Sequence, residues 1–213
     1  MLSKNPRTPS PSDHQPTGDQ SELRKLRLEV ESLRARVSEQ AKEIRRLDEL
    51  AETDQLTGIS NRRSFENEIK RRFCEQERDG RSFCLLIIDV DGFKQINDQF
   101  GHAEGDRLLK HIATVVRSNV RQSDIVCRIG GDEFSIIMPG STLEESEHAA
   151  QRLVQRTVKM IQADMGDIPV GLSIGLAESA NAEEINLLIE AADRAMYRAK
   201  KAGGNRYKKE SDE

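Results

Sequence analysis

The chain has 213 residues, 33% of them charged and only 4% aromatic, with a formal net charge of −4. That length accommodates one substantial core plus an appendage rather than several domains, and a charge without basic excess gives no footprint for nucleic acid. Nucleotides as small molecules stay within reach. Cys74, Cys84 and Cys127 have neither paired nor metal-ligand spacing, and two of them sit in apolar runs, so buried free thiols in a reducing compartment are expected. No stretch approaches the roughly 18 consecutive apolar residues of a membrane span, and the start lacks an apolar signal core. A cytoplasmic protein without a membrane span is the expectation.

Residues 1–20 hold four of the six prolines among small polar residues, a composition too poor in large apolar side chains to offset the entropy of ordering. They read as a disordered tail. Over 21–53 the pattern becomes a heptad: Leu23, Val30, Val37, Ile44 and Ala51 share one position, and Leu26, Leu33, Gln40 and Leu47 follow three residues later. β-Branched residues at the first position with Leu at the second favour a parallel two-stranded coiled coil, hence a homodimer. Glu22 with Arg27, and Glu29 with Arg34, pair across such a dimer, whereas Glu43 faces Asp48 with like charge and Gln40 weakens the centre. This mixture predicts a dimer of moderate strength, or one whose register can change.

Asp54 to Arg63 breaks the heptad with Gly58 and polar residues, after which Phe65, Ile69 and Phe73 recur at helical spacing. Either Ser60 or Asn61 can cap this helix. The segment is a junction, placed to pass a change in the coil to a globular domain. Phe83 to Ile88 is apolar on both faces and ends at Asp89, which reads as a central covered strand presenting an acid at its carboxyl end. Val90 to Asn97 then packs Asp91, Lys94, Gln95 and Asn97 into a short segment. Phe100 to Asp106 reads as a glycine-bracketed loop, and Leu108, Leu109, Ile112, Val115, Val116 and Val120 mark an amphipathic helix.

Gly130-Gly131-Asp132-Glu133-Phe134 lies between the apolar runs 125–127 and 136–138, so the local reading is a hairpin with a glycine turn and an acidic tip. The glycines permit positive φ and let a bulky polyanion approach the backbone. Acids beside phosphate repel it unless a cation lies between. A divalent metal and a nucleotide are the simplest explanation. Pro139-Gly140-Ser141 is a turn, 143–162 a helix, 170–177 a strand of alternating small and apolar residues, and Glu183 to Lys200 a last helix. The order of strand, helix, hairpin, helix, strand and helix predicts an α/β fold, an α+β sandwich with helices over a sheet.

Several motifs in this order carry a resemblance. They are Asp54-x-Leu56-Thr57-Gly58-x-x-Asn61-Arg62, Asp89-x-Asp91-x-Phe93-Lys94-x-x-Asn97-Asp98, Phe100-Gly101-His102-x-x-Gly105-Asp106, Arg128-x-Gly130-Gly131-Asp132-Glu133-Phe134, Ser173-Ile174-Gly175 and Asp193-x-Ala195-Met196-Tyr197-x-Ala199-Lys200. Through them residues 54–208 resemble the GGDEF family of diguanylate cyclases, with 209–213 left as a C-terminal tail. The resemblance implies a central mixed sheet like the palm of nucleotide cyclases and polymerases, and condensation of two GTP into cyclic di-GMP with release of two pyrophosphates.

The same resemblance implies the site. Asp89, Asp132 and the Val90 carbonyl would hold two Mg²⁺ ions, or Mn²⁺ in their place, since hard oxygen donors suit these cations. Asp132 is the implied base, and Glu133 joins the acidic cluster. Gly130 and Gly131 leave room for nucleotide. Asp106 and Asn97 are placed for guanine, because a carboxylate accepts from both N1–H and N2–H₂ where adenine has no donor. Phe93 and His102 are further substrate contacts, and Lys94 and Lys200 could hold the terminal phosphates. Arg121, Asp124 and Arg152 match the family's product-inhibition site. One departure stands out. Gly204 occupies the position of the family's phosphate-binding arginine, for which Arg206 or Lys201 could compensate. Because the product needs two GTP, two domains must meet, and the coil at 21–53 supplies the dimer; an upstream regulator could act on that coil. The competing expectation is a non-catalytic cyclic di-GMP receptor that signals through its coil.

Overall fold

A computed structural model describes residues 18–212 and divides the chain into two units, between Glu49 and Leu50. The tail expected over 1–20 lies outside the described residues as far as position 17, as does the last residue of the expected C-terminal tail. From Gly18 the chain is helical rather than disordered.

The first unit is formed by helix α1 (Gly18–Glu52). Its heptad side chains Leu23, Leu26, Val30, Leu33, Val37 and Leu47 are between 44% and 63% exposed. A helix with that much apolar surface in water gains little from intrinsic propensity and needs a partner surface to bury its seam. The seam side chains of Ile44 and Ala51 lie outside the described ones.

The second unit runs β1 (Ser60–Asn61), α2 (Arg62–Asp79), β2 (Phe83–Asp91), α3 (Phe93–Phe100), α4 (His102–Ser118), β3 (Ile125–Arg128), β4 (Glu133–Pro139), α5 (Leu143–Met165), β5 (Gly171–Glu178), α6 (Ile185–Lys201) and β6 (Arg206–Lys209). The strands form one sheet in the order β1-β3-β4-β2-β5-β6. β2 is antiparallel to both β4 and β5, while β1 with β3 and β5 with β6 are parallel, so the sheet is mixed as expected. The apolar run in β2 is explained by cover on both faces. Cys84, Leu86, Ile88 and Val90 enter the core under α3, α4 and α5, and Phe83, Leu85 and Ile87 enter the one under α2 and α6. Among the described residues no helix is long and apolar enough to cross a membrane.

Three local readings change. The expected loop over 100–106 is helical from His102, because the chain is interrupted once, at Gly101, whose φ of 87° and ψ of 158° suit glycine alone. α3, over 93–100, had no sequence reading of its own. β6 was also missed: Arg-Tyr-Lys-Lys offers no apolar alternation, yet it pairs along the edge of β5, and Glu210, expected in the tail, accepts from Asn181 Nδ2 at 2.7 Å. Of the two candidate caps for α2, Asn61 serves, its side chain accepting from Ser64 N at 3.1 Å.

Candidate active site and a second charged pocket

β2 delivers Asp89 to the sheet end, opposite Glu133 of β4 and Ser173 of β5. The Val90 N–H donates to the Asp132 carbonyl at 3.1 Å, which fixes the acidic hairpin beside the strand end. Asp89 is only 6% exposed. Lys200, in the last turn of α6, places its Nζ 2.6 Å from Asp89 Oδ2. Burial pushes the Asp89 carboxyl up to about 6, Lys200 pulls it down, and Asp132 and Asp91 push it further up. Among the described residues no three His, Cys, Asp or Glu side chains converge as a metal site of their own. Asp89, Asp132 and the Val90 carbonyl are the oxygens here that could hold a divalent cation, hard donors of the kind Mg²⁺ takes alongside water and phosphate.

The hairpin tip differs from expectation in one respect. Neither Gly130 nor Gly131 has positive φ. Gly130 instead gives room to Glu133: a Cβ there would stand 2.4 Å from Glu133 Oε2 and 3.2 Å from its Cβ, so that side chain would have to move, whereas one on Gly131 would meet nothing within 4 Å. Glu133 thus folds beneath Gly130 and lines a cleft between α2 and α6, together with Arg62, Ile129 and Asp193. Arg128 braces the tip. Its Nη2 donates to the Gly131 carbonyl at 2.7 Å and its Nη1 to Asp54 Oδ1 at 3.1 Å. Asp54 in turn accepts from Thr57 N and Oγ1 at 2.9 and 2.6 Å. Burial works against its charge, but the Thr57 bonds and Arg128 outweigh burial and hold the carboxyl below its usual range.

Asn97 of α3 lies against α4 at Gly105, where a Cβ would stand 1.8 Å from its Oδ1, and the next residue along α4 is the exposed Asp106. Asn97 Oδ1 is buried and accepts no hydrogen bond among the described residues. His102 stands one turn before Asp106, Phe93 packs against the core, and Lys94 is exposed on the first turn of α3.

Asp91 was not assigned from sequence. It is clamped by Ser173 Oγ at 2.6 Å and Asn205 N at 2.7 Å, and walled by Gly171 and Gly204, where a Cβ would come within 2.8 and 2.7 Å of its Oδ2. Gly203, Gly204 and Asn205 all have positive φ. A side chain at position 204 would thus be strained in its backbone and crowd the Asp91 carboxylate. Arg206 bends back, its Nε donating to the Gly204 carbonyl at 3.0 Å. The alternating small residues Gly171, Ser173 and Gly175 on one face of β5 were the signal for this close packing.

A second charged pocket, of about 440 Å³, lies where α4, β4 and α5 meet, and includes Arg121, Asp124, Glu145, His148, Arg152 and Arg156. The structure thus gathers Arg121, Asp124 and Arg152. Buried Asp124 accepts from the Arg121 N–H at 2.8 Å. The Arg121 guanidinium is held by Glu145 Oε1 at 3.2 Å and Ser141 Oγ at 3.4 Å. Glu145 also closes a capping box with Thr142 at the start of α5. Glu145, His148 and Arg156 were not singled out from sequence, since only the fold brings one face of α5 to the Arg121 turn.

Residues 51–206 match the family described as diguanylate cyclase, GGDEF domain. Diguanylate cyclase DgcS of Shewanella oneidensis is 38% identical over 157 residues, covering 73% of this chain and 51% of that protein. The chain therefore spans about half the length of that relative. Among solved structures, the coiled coil and GGDEF domain of DgcB from Caulobacter crescentus, in complex with c-di-GMP, superposes with a TM-score of 0.75 at 27% identity, covering 86% of this chain and 98% of that one. Diguanylate cyclase SiaD of Pseudomonas aeruginosa, in complex with its activator SiaC, superposes with a TM-score of 0.71 at 30% identity, covering 90% and 76%.

Proposed function

The chain belongs to the GGDEF family of diguanylate cyclases, and from that membership we propose that it condenses two GTP into cyclic di-GMP and two pyrophosphates. The observation that carries the proposal is the pairing of β2 with β4, which sets buried Asp89 beside the Asp132 hairpin with Lys200 across from it. In each half-reaction the 3′-oxygen of one nucleotide bonds to the α-phosphorus of the other, and the bond to the departing pyrophosphate breaks. Asp132 accepts the proton of the attacking hydroxyl. Asp89, Asp132 and the Val90 carbonyl would hold Mg²⁺, whose charge, when it is bound, would offset that of the phosphates and the leaving group. Lys94 and Lys200 hold the terminal phosphates, and Gly131 leaves open space for the nucleotide.

Guanine selection rests on Asn97 and Asp106. A carboxylate such as Asp106, exposed on α4, accepts from both N1–H and N2–H₂ of guanine, and the Asn97 side chain on the facing helix supplies an amide near the same turn. Phe93 and His102 complete the contact.

Each domain holds one GTP, so turnover requires two copies facing each other. The exposed seam of α1 supports a homodimer through residues 21–53, and a regulator of that helix, as SiaC is an activator of SiaD, would set activity. Arg121, Asp124 and Arg152 form the site for feedback by cyclic di-GMP. The testing experiment incubates the purified chain, stripped of copurified dinucleotide, with GTP and Mg²⁺ and resolves the products chromatographically. Cyclic di-GMP is expected. A stripped, dimeric protein that makes none would sink the cyclase and leave a cyclic di-GMP receptor. Polar substitutions at Leu26, Leu33 and Val37 that yield a fully active monomer would sink the dimer requirement.

A further inference from the structure

We propose that Lys200 is a place-holding cation: in the nucleotide-free protein its ammonium occupies Asp89, and it yields that carboxylate to a divalent metal only when a nucleotide's phosphates draw it away. The inference rests on the assignment of Asp89 as a metal ligand and adds an order of events to it.

Lys200 Nζ lies 2.6 Å from Asp89 Oδ2, with the Asp89 side chain 8% exposed and that of Lys200 38% exposed. A nearly buried carboxylate without a partner is costly, and the lysine offsets that cost before any ligand arrives. A metal approaching the bare protein must therefore displace a charge-assisted hydrogen bond.

The backbone holds Lys200 in place. Under α6, a Cβ on Gly175 would stand 2.0 Å from the Ala192 carbonyl and 2.2 Å from Met196 N, so the helix rests directly on β5. At its end, Gly203 N donates to the Lys200 carbonyl at 3.0 Å and Gly204 N to the Ala199 carbonyl at 3.1 Å. The next residue is anchored to Asp91 through Asn205 N. The helix end is thereby fixed from two sides. What remains mobile is the four-carbon stem of Lys200, long and flexible enough to move a compact ammonium from carboxylate to phosphate while its Cα stays put.

Two carboxylates and a main-chain carbonyl offer Mg²⁺ too few ligands for it to displace the lysine from Asp89 unaided, since Mg²⁺ retains several waters and is usually held jointly by carboxylates and substrate phosphates. A nucleotide supplies both the missing oxygens and an alternative partner for Lys200. Metal and nucleotide then bind with positive coupling, and the site stays closed to free metal.

The test titrates Mn²⁺ into nucleotide-free wild type, Lys200→Met and Lys200→Arg at pH 8, where Asp89 is ionised, and reads free Mn²⁺ by electron paramagnetic resonance. Loss of a hydrogen bond between charged groups predicts Mn²⁺ binding ~10-fold or more tighter in Lys200→Met, with Lys200→Arg staying near wild type. A non-hydrolysable GTP analogue should tighten Mn²⁺ binding much more in wild type than in Lys200→Met. Equal or weaker Mn²⁺ binding by a folded Lys200→Met overturns the inference. If that variant does not fold, Lys200→Gln, which keeps the polar stem end without the charge, replaces it under the same criterion. The titration needs no turnover: an inactive wild type that still shows the gain removes the cyclase reading alone, and an active one without it removes this inference alone.

Discussion

The acidic end of the sheet and the arginine pocket on α4 and α5 are built in opposite sign, and each carries a counter-ion supplied by its own chain. Asp89 is met by Lys200, and Arg121 by Glu145. They differ in depth. The side chain of Asp89 is 8% exposed, whereas those of Arg121 and Glu145 are 56% and 45% exposed. Solvent screens the second pair and leaves it weak, while the first lies where a lost partner costs far more. A ligand can thus enter the arginine pocket at small cost, but the acidic site opens only to a ligand that compensates both ions. That difference makes the arginine pocket the readier of the two to fill.

The largest expected effect tests the acidic side. Asp132→Asn should lower cyclic di-GMP formation on the order of 10³-fold, the scale seen when a transition-state charge stabiliser is removed, with thermal melting little changed; product chromatography reads it. A variant that retained activity would leave the hairpin acid without a role. On the arginine side, Arg121→Ala should weaken cyclic di-GMP binding ~10- to 100-fold by calorimetry, in line with loss of charged hydrogen bonds. Unchanged affinity would mean that product binds elsewhere.

Asp54→Asn should affect the acidic side alone, since Asp54 is tied through Arg128 to the hairpin tip. The native carboxyl is held below its usual range, so its contribution to stability is fully present above the ordinary carboxylate value and is lost as pH falls through the lowered one. Wild type should therefore exceed Asp54→Asn at neutral pH by roughly 1–3 kcal/mol of stability, the two converging in acid; denaturant melts across pH read the difference. A constant difference across that range would show that the charge is irrelevant. The smallest effect belongs to Glu145→Gln, which keeps a capping side chain but removes the carboxylate charge that faces Arg121. Cyclic di-GMP binding should tighten by no more than about fivefold. A weakening would mean that Glu145 helps to shape the pocket rather than guard it.

Much of this arrangement was legible in the sequence. The unbroken run ending at Asp89 announced a strand covered on both faces, and the acidic hairpin was implied by two glycines between apolar runs. The second layer of contacts was not legible. Asp91 stood in the sequence as one of several polar residues after the strand, with no role of its own; its partners Ser173 and Asn205 are 82 and 114 residues away, and no local spacing reports such a clamp. β1 and β6 escaped because a two-residue strand and a charged edge strand carry no period-2 apolar signal. α3 was hidden by its length, eight residues between two glycines with a single buried apolar side chain, Ile96. Gly130 and Gly131 were read for conformational freedom and for room at the backbone for a nucleotide; Gly130 also gives room to a neighbouring glutamate.

Gly175 turns a missing methyl group into a gauge. Because α6 lies on β5 with nothing between them but hydrogen, the interlayer spacing there is as small as a polypeptide allows, and Lys200 rides at the far end of that helix roughly as a pointer rides on a lever. A single added carbon at the fulcrum would lift the lever, and a displacement of ~1 Å at a reacting centre can cost 10²-fold in rate. The calibration of the charged site is thus written into a position of β5 that carries no side chain at all.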